Sequence, residues 1–479
     1  MYVLVTGAAG KVGSCVFRGL TERHRVRVMD RVAIAGVGDQ VTGDLGDFAT
    51  VCRAVRGVDA VIHIGGNPGE KPWPEIRNNN YVGCCHVFEA ARELGVQRVA
   101  FASRAGLLSA YPAGVQRTVD MLPRPRSLYD NSKVFGESLC SMYAARFDMQ
   151  TVSVRIGNFN PERDQPEHPH HLSHGDCVRA FEQAITHPVK GFQIVFGVSD
   201  SNWPLYDLDH GKKAIGYAPK DFAIVPERGR DRPETPEQEL PRPAHQLGRV
   251  LITGASGRVG SVLARELGSS YGIRGLDRVA NLEIEDMVVG DVTDSEVCRQ
   301  SVRDVDAIIH LAGVADGSSS WHEVLENNFD GMVQIMDAAI EAGVPRFAFA
   351  SRAGILGPYP RNLQRTVEMY PRPESYYTIS KIFGEGLGHM YHTRHGLEFV
   401  SVRIGNFKLE RDLPEHPHQL SHTDCVRVFE AAITSPGVNY EVVFGVSDSD
   451  WPLYDLEHGR RAIGYEPANR SVVPKAKRQ

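Results

Sequence analysis

The chain alternates two hydrophobic patterns. Short, nearly continuous apolar runs mark buried strands, and stretches with apolar residues every three or four positions mark helices. YVLVT (2–6) is the first apolar run, a helical pattern follows from Lys11 to about Glu22, and RVRVMD is a second strand ending at Asp30. Further apolar runs appear as DAVIHIGG (59–66), RVAFAS (98–103), TVSVRIGN (151–158) and GFQIVFGVSD (191–200), with the helical VGCCHVFEAARELGV (82–96) among them. Strands separated by helices rather than by tight turns predict βα units and a parallel sheet.

The whole pattern then repeats. LITGASGRVG (251–260), DAIIHLAG (306–313), RFAFAS (346–351), FVSVRIGN (399–406) and YEVVFGVSD (440–448) match the first set in order. The most informative repeated stretch is FASRAGLLSAYPAGVQRTVDMLPRPRSLYDNSK, from Phe101 to Lys133. Its second copy runs from Phe349 to Lys381, offset by 248 residues. Between the halves, residues 222–247 are rich in proline and charge and read as a linker. The expected fold is therefore α/β: two tandem Rossmann-type, doubly wound parallel-sheet domains at 1–221 and 248–470. Each carries a small C-terminal substrate-binding portion, and a basic tail occupies 471–479.

Composition narrows the function. The 479 residues are 42% hydrophobic and 23% charged, with a net charge of −6, which argues against a general nucleic-acid surface. The sequence contains no apolar run of about 18 residues, so no membrane span is expected. The N-terminus opens directly on a strand and shows no signal peptide. The eight cysteines form no Cys-x-x-Cys pair, and free thiols in the cytoplasm are the simple reading.

Candidate chemistry sits at the strand ends. Gly7, Gly10 and Gly13 in GAAGKVG, and Gly254, Gly257 and Gly260 in GASGRVG, lie between a strand and a helix. Such a turn lets the backbone of Lys11 and Val12, or of Arg258 and Val259, approach a pyrophosphate at the helix N-terminus. Asp30 and Asp277 end the second strand of each half, where a carboxylate accepts from an adenosine ribose and disfavours a 2′-phosphate. NAD is accordingly the expected cofactor, with Arg31 and Arg278 softening that preference. Asp44-Leu45 and Asp291-Val292 are placed to meet the adenine, Asp47 and Asp294 read as helix caps, and Asn80 and Asn328 join the cofactor-binding set. Each Tyr-x-x-x-Lys, Tyr129/Lys133 and Tyr377/Lys381, puts both side chains on one helical face, one turn apart. A tyrosinate stabilised by a neighbouring cation takes a proton from an alcohol while hydride leaves for NAD⁺. The histidines of ERDQPEHPHHLSHGDC and ERDLPEHPHQLSHTDC favour substrate contact over a metal site, with His168 and His416 as candidates. His174/Asp176 and His422/Asp424 read as the start and cap of the next helix.

Together LVTGAAGKVG, VIHIGGNPGEKPW, RVAFAS, SLYDNSKVFGE, SVRIGNFNPE and LSHGD, with their second-half partners, resemble the extended short-chain dehydrogenase/reductases. These belong to the wider NAD-dependent epimerase/dehydratase family, and the similarity is greatest to its uronate dehydrogenase branch. The resemblance implies an NAD-dependent oxidoreductase acting on a hydroxyl of a sugar acid, sugar or cyclitol. The alternatives are an epimerase or dehydratase working by transient oxidation, and a non-catalytic nucleotide-binding scaffold. It also implies that the usual catalytic hydroxyl position is filled by Arg104 and Arg352, each directly after a serine, Ser103 or Ser351. That branch's histidine two residues on is Gly106 or Gly354. Its substrate-binding serines fall at Pro68 and Ala315 and at Asn158 and Asn406, with Arg163 and Arg411 near the place of its carboxylate-binding arginine. Family members commonly dimerise through the Tyr-x-x-x-Lys helix, so the tandem halves are expected to pair within one chain. The loops after the fourth strands, NPGEKPW (67–73) and VADGSSSW (314–321), differ by one residue, and the halves need not treat a ligand alike.

Overall fold

In the computed structural model, which describes residues 1–226, 247–475 and 478, the chain divides into two compact units, 1–236 and 237–479. Each unit is built on a seven-stranded, wholly parallel sheet. In the first unit the strands are β1 (Tyr2–Thr6), β2 (Arg25–Asp30), β3 (Gln40–Thr42), β4 (Ala60–His63), β5 (Arg98–Arg104), β6 (Gln150–Ile156) and β7 (Phe192–Gly197). Their spatial order is β3-β2-β1-β4-β5-β6-β7. The order reverses beside β1, so the carboxyl ends of β1 and β4 open the crevice in which such sheets bind ligands. The second unit repeats this with β8 (Arg249–Thr253), β9 (Gly272–Asp277), β10 (Asp286–Val289), β11 (Ala307–His310), β12 (Arg346–Arg352), β13 (Glu398–Ile404) and β14 (Tyr440–Gly445).

The cores follow from the apolar runs. Val3, Val5, Ala60, Ile62, Ala100, Val152 and Val154 are buried in the first unit, and Val250, Ile252, Ala307, Ile309, Ala348, Val400 and Val402 in the second. Three helices of each unit matter for the site. In the first they are α1 (Lys11–Leu20), α2 (Leu128–Phe147) and α3 (His174–Thr186). Their second-unit equivalents are α4 (Arg258–Leu267), α5 (Tyr376–His395) and α6 (His422–Thr434). α2 and α5 are buried along most of their length, and each begins at a serine, Ser127 or Ser375, whose Oγ accepts from the backbone three residues on. Gly136 and Gly384 let these helices sit directly on the sheet, because a Cβ there would come within 2.1 Å of Phe101 Cζ or 2.4 Å of Phe349 Cζ.

Three expectations are corrected. Phe222–Ala223 is a short strand paired with Asp200–Ser201, and Val225 is buried, so the first unit extends past 221. Arg470–Ser471 likewise pairs with Asp448–Ser449, and the expected tail starts inside the folded chain. The rest of the expected linker, 227–246, lies outside the described residues, as do tail positions 476, 477 and 479. The caps of α3 and α6 are Ser173 and Ser421, whose Oγ atoms accept from the N–H of Asp176 and Asp424. Asp47 and Asp294 do cap their helices. Among the described residues, no helix is long and apolar enough to cross a membrane.

Candidate active site

The glycine turns make an anion cradle. Gly7 and Gly254 adopt φ near +70°, and a Cβ on Gly13 or Gly260 would lie 2.0 or 2.1 Å from the carbonyl oxygen of Gly7 or Gly254. α1 and α4 therefore start flush against the turn. Their N-caps, Gly10 and Gly257, provide no side-chain cap, so the first N–H groups, from Lys11 to Gly13 and Arg258 to Gly260, stay available to an anion. Asp30 Oδ2 accepts from Ala9 N at 2.9 Å, and Asp277 Oδ2 from Ser256 N at 3.0 Å. Each carboxylate is thereby held beside its turn.

In the second unit one cleft of about 930 Å³ runs from this cradle to Tyr377. It is lined at one end by Gly257, Arg258 and Asp277 and at the other by Arg352, Tyr377 and Lys381. Arg278, Asp291, Val292, Val259 and Asn406 line it as well. The donor set and the volume of the cleft fit a dinucleotide.

Other expected cofactor residues have structural partners. Asp44 and Asp291 accept from the backbone two residues on, at 2.7 and 2.9 Å, and shape the turn after the third strand. Leu45 packs at Gly65, where a Cβ would meet its Cδ1 at 2.7 Å. Arg31 donates to Asn67 Oδ1 and Arg278 to Asn327 Oδ1. Asn80 and Asn328 sit in a π-helical turn, and their amides hold the loop after the fourth strand. Asn80 accepts from Asn67 N and donates to Asn67 O and Ser132 Oγ, and Asn328 does the same with Val314 and Ser380. Both asparagines thereby brace the loop after the fourth strand.

At the chemical end, Lys133 Nζ donates to Ala102 O at 2.9 Å and lies 5.3 Å from the Tyr129 ring centroid. Lys381 Nζ is 5.5 Å from the Tyr377 ring. The arginines lie over the same rings, Arg104 Cζ at 5.6 Å and Arg352 Cζ at 5.1 Å. Burial raises the pKa of Tyr377, and the Arg352 charge pulls it part of the way back. Burial, with a smaller contribution from Arg352, brings Lys381 down to about 7. In the second unit two cations, Lys381 and Arg352, thus stand over the Tyr377 ring.

Ser103 and Ser351 could supply the catalytic hydroxyl only if the backbone were shifted by one residue, and the strands keep a regular register. Neighbouring residues on a strand face opposite ways, and these serines face away from the tyrosines. Ser103 is 1% exposed and donates to Glu137 Oε1 at 2.6 Å, and Ser351 donates to Glu385 Oε1 at the same distance. Glu137 is clasped by both Nε and Nη2 of Arg155 at 2.8 Å, with both side chains 0% exposed. Arg403 and Glu385 repeat the fork. This peg ties α2 to β5 and β6, and α5 to β12 and β13.

The glycines after the arginines explain how a large side chain fits. A Cβ at Gly106 or Gly354 would lie 2.5 Å from Nη2 of Arg104 or Arg352. The guanidinium occupies the room that a side chain two residues on would need. Gly354→Ala, made in a chain whose first site is silenced by Tyr129→Phe, is expected to lower kcat/KM by roughly ten- to a hundredfold through displacement of Arg352. Its melting temperature stays unchanged, because only a flexible side-chain end has to move. Activity equal to that of the parent would show that Arg352 has no part in turnover.

The substrate-side loop is also redrawn. His418, rather than the expected His416, lines the second cleft together with Tyr454. His418 Nδ1 lies 2.8 Å from Tyr454 Oη, and His170 meets Tyr206 in the same way. Burial first, then the charges of His416, Arg365 and Arg361, lower His418 to about 4. His168 stacks on His171 at 5.1 Å, and His416 on His418 at 4.8 Å. Asn158 and Asn406 donate their N–H to the carbonyls of His170 and His418 at 2.6 Å. Arg163 is ion-paired to Glu167, and Arg411 donates to Asn406 O at 3.2 Å. The twice-repeated WPLYDL was the available signal for Tyr206 and Tyr454. No group of three or more His, Cys, Asp or Glu among the described residues could hold a metal.

The model of the NAD dependent epimerase/dehydratase family matches residues 3–191 and again 250–427. The chain is 38% identical over 248 residues to the NAD-dependent glucose-6-phosphate dehydrogenase of Haloferax volcanii, covering 47% of this chain and 94% of that protein. It is 37% identical over 262 residues to the uronate dehydrogenase of Pseudomonas syringae pv. tomato, covering 53% and 94%. The solved uronate dehydrogenase of Agrobacterium tumefaciens is 34% identical, covering 50% of this chain and 92% of that one, with a TM-score of 0.45. The two sequence alignments span about half of this chain and nearly all of each relative, so one half corresponds to one whole relative. The chain belongs to the NAD-dependent epimerase/dehydratase family, represents it twice in tandem, and uses NAD as its cofactor.

Proposed function

We propose that the chain is a dehydrogenase that oxidises a hydroxyl of a sugar, sugar acid or cyclitol. The observation that carries this reading is the single second-unit cleft joining the glycine turn and Asp277 to Tyr377, Lys381 and Arg352. The relatives named above support net oxidation over epimerisation, and the same residues recur in the first unit. NAD⁺, when bound, supplies the hydride acceptor. The chain's own residues do the rest. Asp277 and the α4 N-terminus orient the cofactor, Tyr377 Oη takes the proton of the substrate hydroxyl, and Arg352 favours the tyrosinate. Lys381 holds hydroxyls beside the nicotinamide, and His418 and Tyr454 close the polar wall.

The direct test is to incubate the chain with NAD⁺ and a panel of sugars, sugar acids and cyclitols and follow NADH absorbance. Net NADH supports the reading. Substrate isomerisation without NADH would favour an epimerase, and NAD binding without turnover of any panel member would favour a scaffold.

The pH profile has a defined sign. The working form of Tyr377 is the deprotonated one, and burial raises its pKa. With the first site silenced by Tyr129→Phe, kcat is therefore expected to keep climbing with pH into the alkaline range, past the ordinary tyrosine value of 10.0. Arg352→Met, which removes the charge lowering that pKa, moves the climb to higher pH. A profile indifferent to Arg352 would contradict the assignment.

Pairing of the halves within one chain and a cytoplasmic setting complete the reading, the latter supported by eight cysteines outside any disulfide. A sedimentation mass near 52.9 kDa is expected, and a mass of two chains would count against pairing within one.

A further inference from the structure

One residue after each catalytic tyrosine the two halves differ, and the difference changes the charge presented at the site. In the first half this residue is Asp130. Its Oδ1 accepts from Arg104 Nη1 at 2.6 Å, and its Oδ2 accepts from Arg126 N. Arg104 is thereby neutralised by a carboxylate that α2 itself carries. In the second half the residue is Thr378, and Arg352 Nη1 reaches only the hydroxyl, at 3.2 Å. No carboxylate pairs with Arg352 among the ion pairs of the described residues.

Two further differences run the same way. Arg361 lies close enough to His416 and His418 for its charge to act on both, and the first half has Ala113 at that place. Arg163 is ion-paired to Glu167, while Arg411 is held by the Asn406 carbonyl instead. One difference opposes them, because Glu374 stands where the first half has Arg126. Glu374 is exposed and does not line the cleft. Arg352 does line it, next to Tyr377.

A guanidinium without a carboxylate partner, facing a partly desolvated cleft, is a fork for an oxyanion. We propose that the second half takes a carbohydrate-like substrate bearing a carboxylate or phosphate, and that the first half takes an uncharged one, so that Thr378 and Asp130 set the charge class of each site. The proposal rests on the dehydrogenase reading above.

The test uses two full-length chains, Tyr129→Phe, with only the second site working, and Tyr377→Phe, with only the first. Each is assayed with NAD⁺ and D-glucose, D-glucuronate or D-glucose 6-phosphate. The ratio of kcat/KM for the better anionic sugar to that for glucose is expected to be roughly tenfold or more higher in the Tyr129→Phe chain. The two anionic arms distinguish carboxylate from phosphate. Adding Thr378→Asp to Tyr129→Phe should collapse the ratio, and adding Asp130→Thr to Tyr377→Phe should raise it. An aspartate is compatible with this helix start, since the first half folds with one there. Equal ratios in the two single-site chains, or exchanges that leave them unmoved, would overturn the proposal.

If neither chain oxidises any sugar, the dehydrogenase reading fails, and the charge assignment is decided by binding alone. Calorimetric titration of inorganic phosphate into the NAD⁺-saturated chain is expected to weaken about tenfold or more on Thr378→Asp. Unchanged binding would overturn the assignment.

Discussion

Replacing Tyr129 and Tyr377 together by phenylalanine is expected to lower NADH formation by about 10²- to 10⁴-fold, the usual worth of a positioned acid–base group. The substitution removes only the two phenolic oxygens. Each ring keeps its place under an arginine, with Arg104 and Arg352 centred 5.6 and 5.1 Å away. Lys133 keeps its bond to Ala102 O, and the glycine turns and Asp30 and Asp277 are untouched. NAD binding and melting temperature should therefore hold while turnover disappears. The single variants should each remove one site's share, and a substrate taken by one half alone should respond to one single variant only. Full turnover in the double variant would sink the assigned chemistry in both halves.

The second large effect concerns stability. Glu137→Ala leaves Arg155, 0% exposed, without its carboxylate, and removes the acceptor of Ser103 Oγ. Breaking a buried ion pair from one side costs about 3–5 kcal/mol. For a domain of this size that lowers the first unit's melting temperature by about 6–20 °C, as read by calorimetry. Glu385→Ala should do the same to the second unit through Arg403. Glu137→Gln keeps the shape and one acceptor and should cost less. A Glu137→Ala chain that melts with the parent would mean that the fork contributes little beyond packing.

How much of this was visible in the sequence depends on what fixed each residue. The glycine turns, Asp30 and Asp277 were legible because their places follow from strand ends and backbone approach. Tyr-x-x-x-Lys was legible because helical spacing alone puts both groups on one face. The turning away of Ser103 and Ser351 was legible too, because neighbours on a strand face opposite ways, but their bond to Glu137 and Glu385 was not, since it needs the helix packed on the sheet. His418 was mistaken for His416 because an irregular loop has no period from which to read a direction. The partners of Arg104 and Arg352 depended on Asp130 and Thr378, which read as ordinary helix residues until the guanidinium was placed over them. The end of the first unit was set too early because a two-residue strand, Phe222–Ala223, leaves no hydrophobic pattern.

The fit of Arg352 over Gly354 has a consequence for any attempt to redesign these sites. The guanidinium fills the space that the glycine leaves, with Nη2 only 2.5 Å from where a Cβ would stand. The two positions therefore behave as one unit under mutation. Exchanging Arg352 for serine alone leaves the space over Gly354 open to the cleft, and a side chain at 354 alone has to displace the end of the guanidinium. Only the double exchange keeps the volume, so the two single costs will not sum to the double. A route by single steps toward a hydroxyl-bearing site must cross a less active intermediate in each half.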